Sequence, residues 1–385
     1  MMKTRWLGRL GALMLMPVTA VAGQGMVSLP TNGVFNVCDF GAKGDGKTAD
    51  SAACQAALEA AGKVGGTVYF PAGTYLVHDL KVPERVALKA DPKWLFRDTP
   101  AGAVLKLDEP KARCVLDITD AYGVRLSGLF LDGIPATPQP VHGILLDHPK
   151  KFASKEDSPV IEDVRVQRFS GDGIRLNRVW CFFIRHSMSA YNRGNGVYLR
   201  GWDGFVIDNQ FSGNHGHGFV SDAQGSTVMF TANRIEWNRL CGLCVEPEFG
   251  NSWNVTGNSF DRNFQSNLAL ANLQGSTVTG NLFRRAGRQL DAPSPWGAPT
   301  AQVRLRNCRG IAVTGNTLEA GQDDDGVGDF SPVAGFVIEK LGWCTIRNNT
   351  LFHGYMQEAI VDRGGHEQTV VADNPAKPLP LPTAN

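Results

Sequence analysis

A pattern of apolar and polar positions recurs along the second half of the chain in the form apolar-x-x-Asn-x-apolar. Its six asparagines are Asn209, Asn233, Asn258, Asn281, Asn316 and Asn349. The first four are separated by 24, 25 and 23 residues, and the last two steps are 35 and 33. A period near 24 residues is too short for the usual helix-pair repeats and fits one coil of a β-solenoid. The pattern therefore predicts stacked coils built from short strands.

A second pattern precedes each asparagine and reads small residue, apolar, x, apolar, x, as in Gly196-Val-Tyr-Leu-Arg200. Nine such segments begin at residues 143, 173, 196, 218, 242, 267, 302, 335 and 359. Strand alternation directs the second and fourth positions into the core and the third and fifth positions outward. We expect the asparagines in turns, with each amide bonded to the neighbouring coils and the local backbone. Their predicted role is structural rather than catalytic.

The long repeat steps predict insertions at about 285–300 and 320–333. Both fall between an asparagine and the next small-apolar strand, so they should emerge on the same side and form a wall beside that sheet. A third insertion, at about 149–158, follows the strand ending at Asp147.

The N-terminal part predicts a helix between strands. Asp50 or Ser51 can cap a helix that runs to about Gly62, and a Pro-Ala-Gly turn separates two strand-like pieces downstream. This stretch resembles the pectate-lyase-3 type of the pectin-lyase-like superfamily over about 45 residues. The matching segments are Asp39-Phe40-Gly41-Ala42, Gly44-Asp45-Gly46 and Gly65-Gly66-Thr67-Val68-Tyr69-Phe70-Pro71-Ala72-Gly73-Thr74-Tyr75. One departure is Ala49, where the family usually has an acidic residue.

The resemblance implies an all-β fold, a right-handed parallel β-helix whose N-terminal end is capped by an α-helix. With the repeats counted, the solenoid should have about ten coils. The superfamily includes polysaccharide lyases, glycoside hydrolases, epimerases and phage tailspikes, so the fold does not determine the reaction.

Composition and charge indicate the size of the core, the kinds of partner and the cellular location. The 385 residues are 43% hydrophobic and 19% charged, which allows a large core, and the net charge of +1 gives no sign of nucleic-acid or membrane-surface binding. Residues 1–22 combine a basic start, an apolar run and the small-x-small sequence Ala20-Val21-Ala22, which predicts a cleaved secretory signal and a secreted or periplasmic protein without membrane insertion. We expect one β-helix domain over 23–373 and a loose Pro-rich tail over 374–385. No coiled-coil or interface pattern supports a trimer, although many β-helix proteins form one.

Paired acids are the first candidate site. Asp222 and Glu246 occupy the outward fifth position of successive segments, where coils lie about 4.8 Å apart, and Glu248 follows closely. A glycosidase needs one carboxylic acid to protonate the leaving oxygen and one carboxylate to activate water or attack. Our leading prediction is hydrolysis of a polysaccharide without a cofactor, with Glu246 or Glu248 as acid and Asp222 as base or nucleophile. The alternative interpretation is an ordinary solvated face whose acids are balanced by Arg200.

Basic residues on the same face indicate an acidic glycan, because guanidinium groups pair with carboxylates through two hydrogen bonds. The predicted glycan-binding side chains are Arg175, Tyr198, Arg200, Trp202, His217, Arg304 and Arg306. They support an alternative reaction, that of a polysaccharide lyase or C5-epimerase on a uronate polymer. Arg200 would neutralise the sugar carboxylate, and Tyr198 and His217 would serve as base and acid. A third possibility is a non-catalytic glycan-binding or surface structural β-helix.

Metal and thiol chemistry are weaker candidates. Pectate-lyase-like enzymes often use calcium, which Asp222, Glu246 and Glu248 could hold. Cys241-Gly-Leu-Cys244 has the spacing of a redox motif but lies in a strand repeat, so we expect its thiols to face opposite sides and to pack. No second Cys or His pair at zinc-site spacing is evident, and His215-Gly-His217 alone is a weak signal, so no metal ligands are predicted.

Overall fold

The computed structural model describes residues 33–91, 94, 101–288, 297, 299–319 and 328–380. The predicted signal at 1–22 lies outside the described residues. Successive coils add parallel strands to three long sheet faces, and the coils stack into a right-handed parallel β-helix. The predicted fold class is therefore confirmed. We call the three faces the front, side and back sheets.

The strands of the three sheets follow one another in each coil. The front-sheet strands are Leu80–Lys81, Cys114–Asp117, His142–Asp147, the first parts of Ile174–Arg185 and Val197–Ile207, Phe219–Ser221, Leu243–Val245, Leu268–Ala271, Ala301–Arg306, Ala334–Glu339 and Glu358–Asp362. The side-sheet strands are Val34–Asn36, Thr67–Tyr69, Ala87–Lys89, Arg125–Ser127, Val160–Glu162, the last parts of Ile174–Arg185 and Val197–Ile207, Gln224–Thr231, Phe249–Thr256, Leu273–Gln274, Thr277–Thr279, Ala312–Thr314, Thr345–Arg347 and Val370–Ala372. The back-sheet strands are Asp45–Ala49, Gly73–Val77, Ala103–Leu107, Phe130–Asp132, Arg165–Gln167, Met188–Ala190, Gln210–Ser212, Arg234–Glu236, Ser259–Asn263, Leu282–Ala286 and Thr317–Glu319.

A helix closes the N-terminal end of the solenoid, as predicted. It spans Ser51–Gly62 and follows a 3-10 turn at Val37–Phe40. Asp50 precedes the helix, but its carboxylate accepts the backbone N–H groups of Lys43 at 2.7 Å and Gly44 at 3.1 Å. Asp50 therefore closes the Gly-rich turn rather than capping the helix through its side chain.

The core follows the apolar second positions of the repeat. Ile174, Val197, Phe219, Leu243 and Leu268 are cross-strand neighbours in that order, and each is at most 1% exposed. Burying a side chain of this size contributes about 1.5–3 kcal/mol. The stacked apolar columns therefore supply most of the driving force that holds successive coils together.

The asparagines form the predicted ladder at the corner between the side and back sheets. All six are at most 2% exposed, and each side-chain amide donates to the side-chain oxygen of the next at 2.9–3.0 Å. Each amide also donates to a backbone carbonyl of the preceding coil, as Asn258 does to Phe230 at 2.9 Å. The ladder continues to Asn374.

A second asparagine ladder, which the sequence analysis missed, runs along the corner between the back and front sheets. It joins Asn192, Asn214, Asn238 and Asn263 by amide-to-oxygen hydrogen bonds of 2.9 Å. This ladder explains why a glycine, Gly196, stands just before the front strand that starts at Val197. A β-carbon on Gly196 would lie 2.4 Å from the carbonyl oxygen of Gly218 and 2.9 Å from Nδ2 of Asn214.

The C-terminal tail differs from the prediction of a loose segment. Ala376–Lys377 pairs in parallel with Leu351–Phe352, which extends the stack of coils. The Leu379 N–H donates to the Tyr355 carbonyl at 2.7 Å, and Leu379 is 3% exposed. A buried leucine fastens the tail, which the proline count alone did not indicate. The described part of the chain holds no helix with the length and apolar character needed to cross a bilayer.

Candidate active site on the front sheet

The register of the front sheet places the outward side chains in two rows. In the third-position row, Arg175, Tyr198, Val220, Cys244 and Ala269 are successive cross-strand partners. In the fifth-position row, the Glu246 N–H donates to the carbonyl of Ser221, which sets Glu246 in the coil beside Asp222. The predicted register of the two acids is therefore correct.

Tyr198 lies at the centre of a charged cluster in this face. The guanidinium carbon of Arg175 is 4.0 Å from the Tyr198 ring centroid, and Nη1 of Arg175 is 2.8 Å from Oδ2 of Asp172. Burial raises the pKa of the Tyr198 phenol, and the charge and hydrogen bond of Asp222 raise it further, against opposing effects of Arg175 and Arg200. The phenol is thus held in its protonated form beside an exposed carboxylate.

Arg200 retains unused hydrogen-bonding capacity. It is half-buried, and its Nε is shielded from solvent without a hydrogen-bond partner. A buried donor without a partner costs about 1–3 kcal/mol. A bound anion that engaged this guanidinium would remove part of that cost, so Arg200 is suited to holding a carboxylate.

Glu246 and Glu248 do not join Asp222 in one acidic site. The Arg306 guanidinium contacts the Glu246 carboxylate as an ion pair. Glu248 is exposed and lines a separate cavity of about 470 Å³, together with Gln274 and Arg309. The three acids do not bring their oxygens within 4.8 Å of one another among the described residues, so they do not form a compact calcium site.

Arg304 was wrongly assigned to the predicted glycan-binding side chains, because it is buried. Its side chain is 3% exposed and donates to Ser266 Oγ at 3.1 Å and to the carbonyl oxygen of Gly297 at 2.9 Å, and it contacts the Pro299 carbonyl. Burial lowers the pKa of Arg304 to about 10. Arg304 therefore ties Gly297 and Pro299, near the end of the predicted insertion at 285–300, to the front sheet, while residues 289–296 and 298 lie outside the described residues.

Trp202 lies at the corner between the front and side sheets. Its ring centroid is 3.9 Å from that of Phe152, in the insertion at 149–158, and 6.4 Å from that of Trp180. These contacts pack the insertion against the solenoid, so Trp202 belongs to the rim rather than to the Tyr198 cluster.

His217, Cys241 and Cys244 form a cluster that the sequence analysis did not predict. One ring nitrogen of His217 and the two sulfurs all lie within 4.8 Å of one another. The Cys241 N–H donates to Nδ1 of His217 at 3.2 Å. The expectation that the two thiols face opposite sides was wrong, because Cys241 lies in the turn before the strand Leu243–Val245, where strand alternation does not apply. The cluster joins two neighbouring coils, so the spacing of residues along one repeat did not indicate it.

Comparison with known proteins agrees with the fold and finds similarity to proteins that act on carbohydrates. Family models for "Rhamnogalacturonase A/epimerase, pectate lyase-like" and "Right handed beta helix region" match residues 34–97 and 142–283. Mannuronan C5-epimerase AlgE6 of Azotobacter vinelandii is 31% identical over 217 residues, 52% of this chain and 23% of that protein. Alginate lyase 7 of the same organism is 66% identical over 44 residues, 11% of this chain and 5% of that protein. The match thus spans less than a quarter of the length of either relative.

The solved A-module of AlgE6 superimposes with a TM-score of 0.62 at 21% identity, covering 88% of this chain and 100% of the module. Identity at this level concerns the fold alone. The stacked coils, the capping helix and the two family models, which match separate parts of the chain, support the predicted pectin-lyase-like superfamily of right-handed parallel β-helix proteins.

Proposed function

We propose that the protein is a carbohydrate-active enzyme that epimerises uronic acid residues of an acidic polysaccharide at C5. The observation that carries the proposal is the front-sheet cluster in which the protonated Tyr198 phenol lies between Asp222 and the guanidinium groups of Arg175 and Arg200. The similarity to mannuronan C5-epimerases favours this reaction over hydrolysis and suggests mannuronan as the first substrate to test.

The cluster offers the groups that the reaction needs. Arg200 pairs with the sugar carboxylate and so acidifies the adjacent C5–H. The C5–H bond breaks, its proton passes to Asp222, and the electron pair delocalises into the neutralised carboxylate. Tyr198 then donates its phenolic proton to the opposite face of C5. The hydrogen bond between Tyr198 and Asp222 returns the proton after product release and restores both groups.

Hydrolysis, the leading prediction from the sequence, has less support. Its proposed acid Glu246 is engaged with Arg306, and Glu248 faces a different cavity. A glycosidase acid must be free to protonate the leaving oxygen. In this geometry neither acid is placed for that task beside Asp222.

A lyase is the second candidate, favoured by the short stretch of high identity to alginate lyase 7. Its first step is the same C5 proton removal. The intermediate then expels the oxygen at C4 and leaves a double bond, instead of taking up a new proton at C5.

Incubation with mannuronan in deuterated water separates these reactions, with and without added Ca²⁺. Epimerisation yields inverted residues that carry deuterium at C5, without new chain ends. A lyase produces unsaturated ends that absorb ultraviolet light, and a hydrolase produces reducing ends without that absorbance. If a panel of uronate polymers showed neither inversion nor deuterium at C5, the proposal would be wrong.

A further inference from the structure

The cluster of His217, Cys241 and Cys244 lies outside the proposed proton-transfer machinery. His217 and Cys241 occupy the same turn position in adjoining coils, since each directly precedes a strand-opening glycine and the Gly218 N–H donates to the Cys241 carbonyl. Cys244 projects from the outward third-position row of the front sheet. Three elements from two coils therefore converge on one point.

We propose that His217, Cys241 and Cys244 bind a soft divalent cation, Zn²⁺, and leave its fourth position open. This inference goes beyond the proposed epimerase reaction and does not depend on it. Two thiolates and an imidazole are donors that Zn²⁺ accepts in tetrahedral sites. Ligand sulfurs in such a site are about 3.8 Å apart, as follows from Zn–S bonds of about 2.3 Å. The three ligand atoms already lie within 4.8 Å of one another, so a shift of about 1 Å or less in each would complete the geometry.

The surroundings suit a thiolate-bound metal. Cys241 is 0% exposed and Cys244 is 4% exposed, and both pack with Val220, Ala269 and Ala271 in a dry apolar floor. Zn²⁺ binds cysteine as the thiolate, so its binding should release protons from the ligand thiols to solvent.

The sulfur ligands and their apolar surroundings favour Zn²⁺ over Ca²⁺. A hard cation such as Ca²⁺ takes oxygen ligands, which this cluster does not offer. Arg304 continues the same outward row as the cross-strand partner of Ala269 and is 3% exposed.

The test uses the full chain, reduced and dialysed against a chelator, and titrated with Zn²⁺ by calorimetry in buffers of different ionisation enthalpy. We expect one Zn²⁺ per chain with release of protons from the ligand thiols, and a thiolate-to-metal charge-transfer band when Co²⁺ replaces Zn²⁺. Cys241→Ser, Cys244→Ser and His217→Ala should each weaken Zn²⁺ binding by about 100-fold or more, since loss of a mere outer-shell partner already costs 10–100-fold. Cys344→Ser, which changes a buried cysteine elsewhere in the solenoid, should leave the affinity unchanged.

Any of three results would overturn the site. The first is Zn²⁺ binding to the unchanged chain that is no tighter than binding to Cys241→Ser. The second is a loss of affinity in Cys344→Ser as large as that in the cluster variants. The third is isolation of the two thiols as a disulfide that, once reduced, still takes up no metal. Circular dichroism checks the fold of each variant, and His217→Ala, which alters a half-buried residue, keeps the test decisive if a cysteine variant fails to fold.

Discussion

The guanidinium of Arg306 contacts the carboxylate of Glu246 although the two residues lie two coils apart. Ala271 occupies the fifth position of the coil between them and is the direct cross-strand partner of Arg306. Its single methyl group leaves the space across which the Arg306 side chain reaches. Both charged side chains are about a third exposed, at 37% and 35%, so solvent screens the pair.

A double-mutant cycle on this pair should reveal a small coupling. Glu246→Ala, Arg306→Ala and the double variant should give a coupling energy of about 0.2–1 kcal/mol in the free energy of unfolding, as is usual for partly exposed ion pairs. Urea denaturation measures it. A coupling of zero would show that the contact does not persist in solution.

Arg200 should be more important for catalysis than its limited exposure suggests. Arg200→Ala should lower kcat on mannuronan by about 100-fold or more, the usual cost of removing one donor that stabilises developing charge. Arg200→Lys should restore only part of the rate, because an ammonium lacks the planar two-donor geometry. The matched control is Arg185→Ala on the side sheet, where Arg185 pairs with Glu162 at 3.0 Å. Equal losses in the two alanine variants would argue against a role of Arg200 at the sugar carboxylate.

The pH dependence should identify Tyr198 as the proton donor. Because the pKa of its phenol is raised above 10, activity should persist to alkaline pH and decline only as the phenol loses its proton. Asp222→Asn removes the proposed base and should lower kcat strongly. It also removes a negative charge that raises the pKa of Tyr198, so the alkaline decline of its remaining activity should begin at lower pH. Tyr198→Phe should reduce kcat by about 100-fold or more and abolish the decline. Profiles of kcat against pH test all three, and an unmoved decline in Asp222→Asn would contradict the coupling between the two groups.

The asparagine ladder should contribute strongly to the stability of the central coils, in addition to the apolar columns. Asn258→Ala removes the side-chain partner of the Phe230 carbonyl and of two N–H donors of Asn233, while the Asn281 oxygen keeps only the backbone N–H of residue 258. Each buried group without a partner costs about 1–3 kcal/mol, so the loss should reach about 3 kcal/mol or more. Asn251→Ala, at an exposed asparagine within the side-sheet strand Phe249–Thr256, should change stability by about 0.5 kcal/mol or less. Similar denaturation midpoints for the two variants would rule out a structural ladder in solution.

Arg304 should control the attachment of the insertion at 285–300. Arg304→Met keeps most of the buried volume but removes the hydrogen bonds to Gly297, Pro299 and Ser266. Limited proteolysis should then cut within the insertion well before the solenoid, whereas Ser266→Ala should have a smaller effect because the carbonyl contacts remain. An unchanged cleavage rate in Arg304→Met would mean that other contacts hold the insertion.

Much of the architecture could be read from the sequence, because each coil repeats a local pattern. The six asparagines predicted their own ladder, and the spacing predicted the register that sets Glu246 beside Asp222. The second ladder was also present as a signal, since Asn192, Asn214, Asn238 and Asn263 follow one another at 22, 24 and 25 residues. It was overlooked because Asn192, Asn214 and Asn263 lack the apolar residue two positions later that completes the first pattern. The signal peptide at 1–22, the secreted or periplasmic location and the oligomeric state stay predictions.

The sequence by itself determined the solenoid, its period and the row in which each outward side chain lies, because alternation and repeat length are properties of neighbouring residues. Only the tertiary structure decided which of those side chains meet. Arg304 is buried by an insertion, Arg306 reaches over Ala271 to Glu246, and His217 approaches Cys241 and Cys244 from another coil. Such contacts depend on side-chain length, turn geometry and the packing of insertions, none of which the spacing of the repeat specifies.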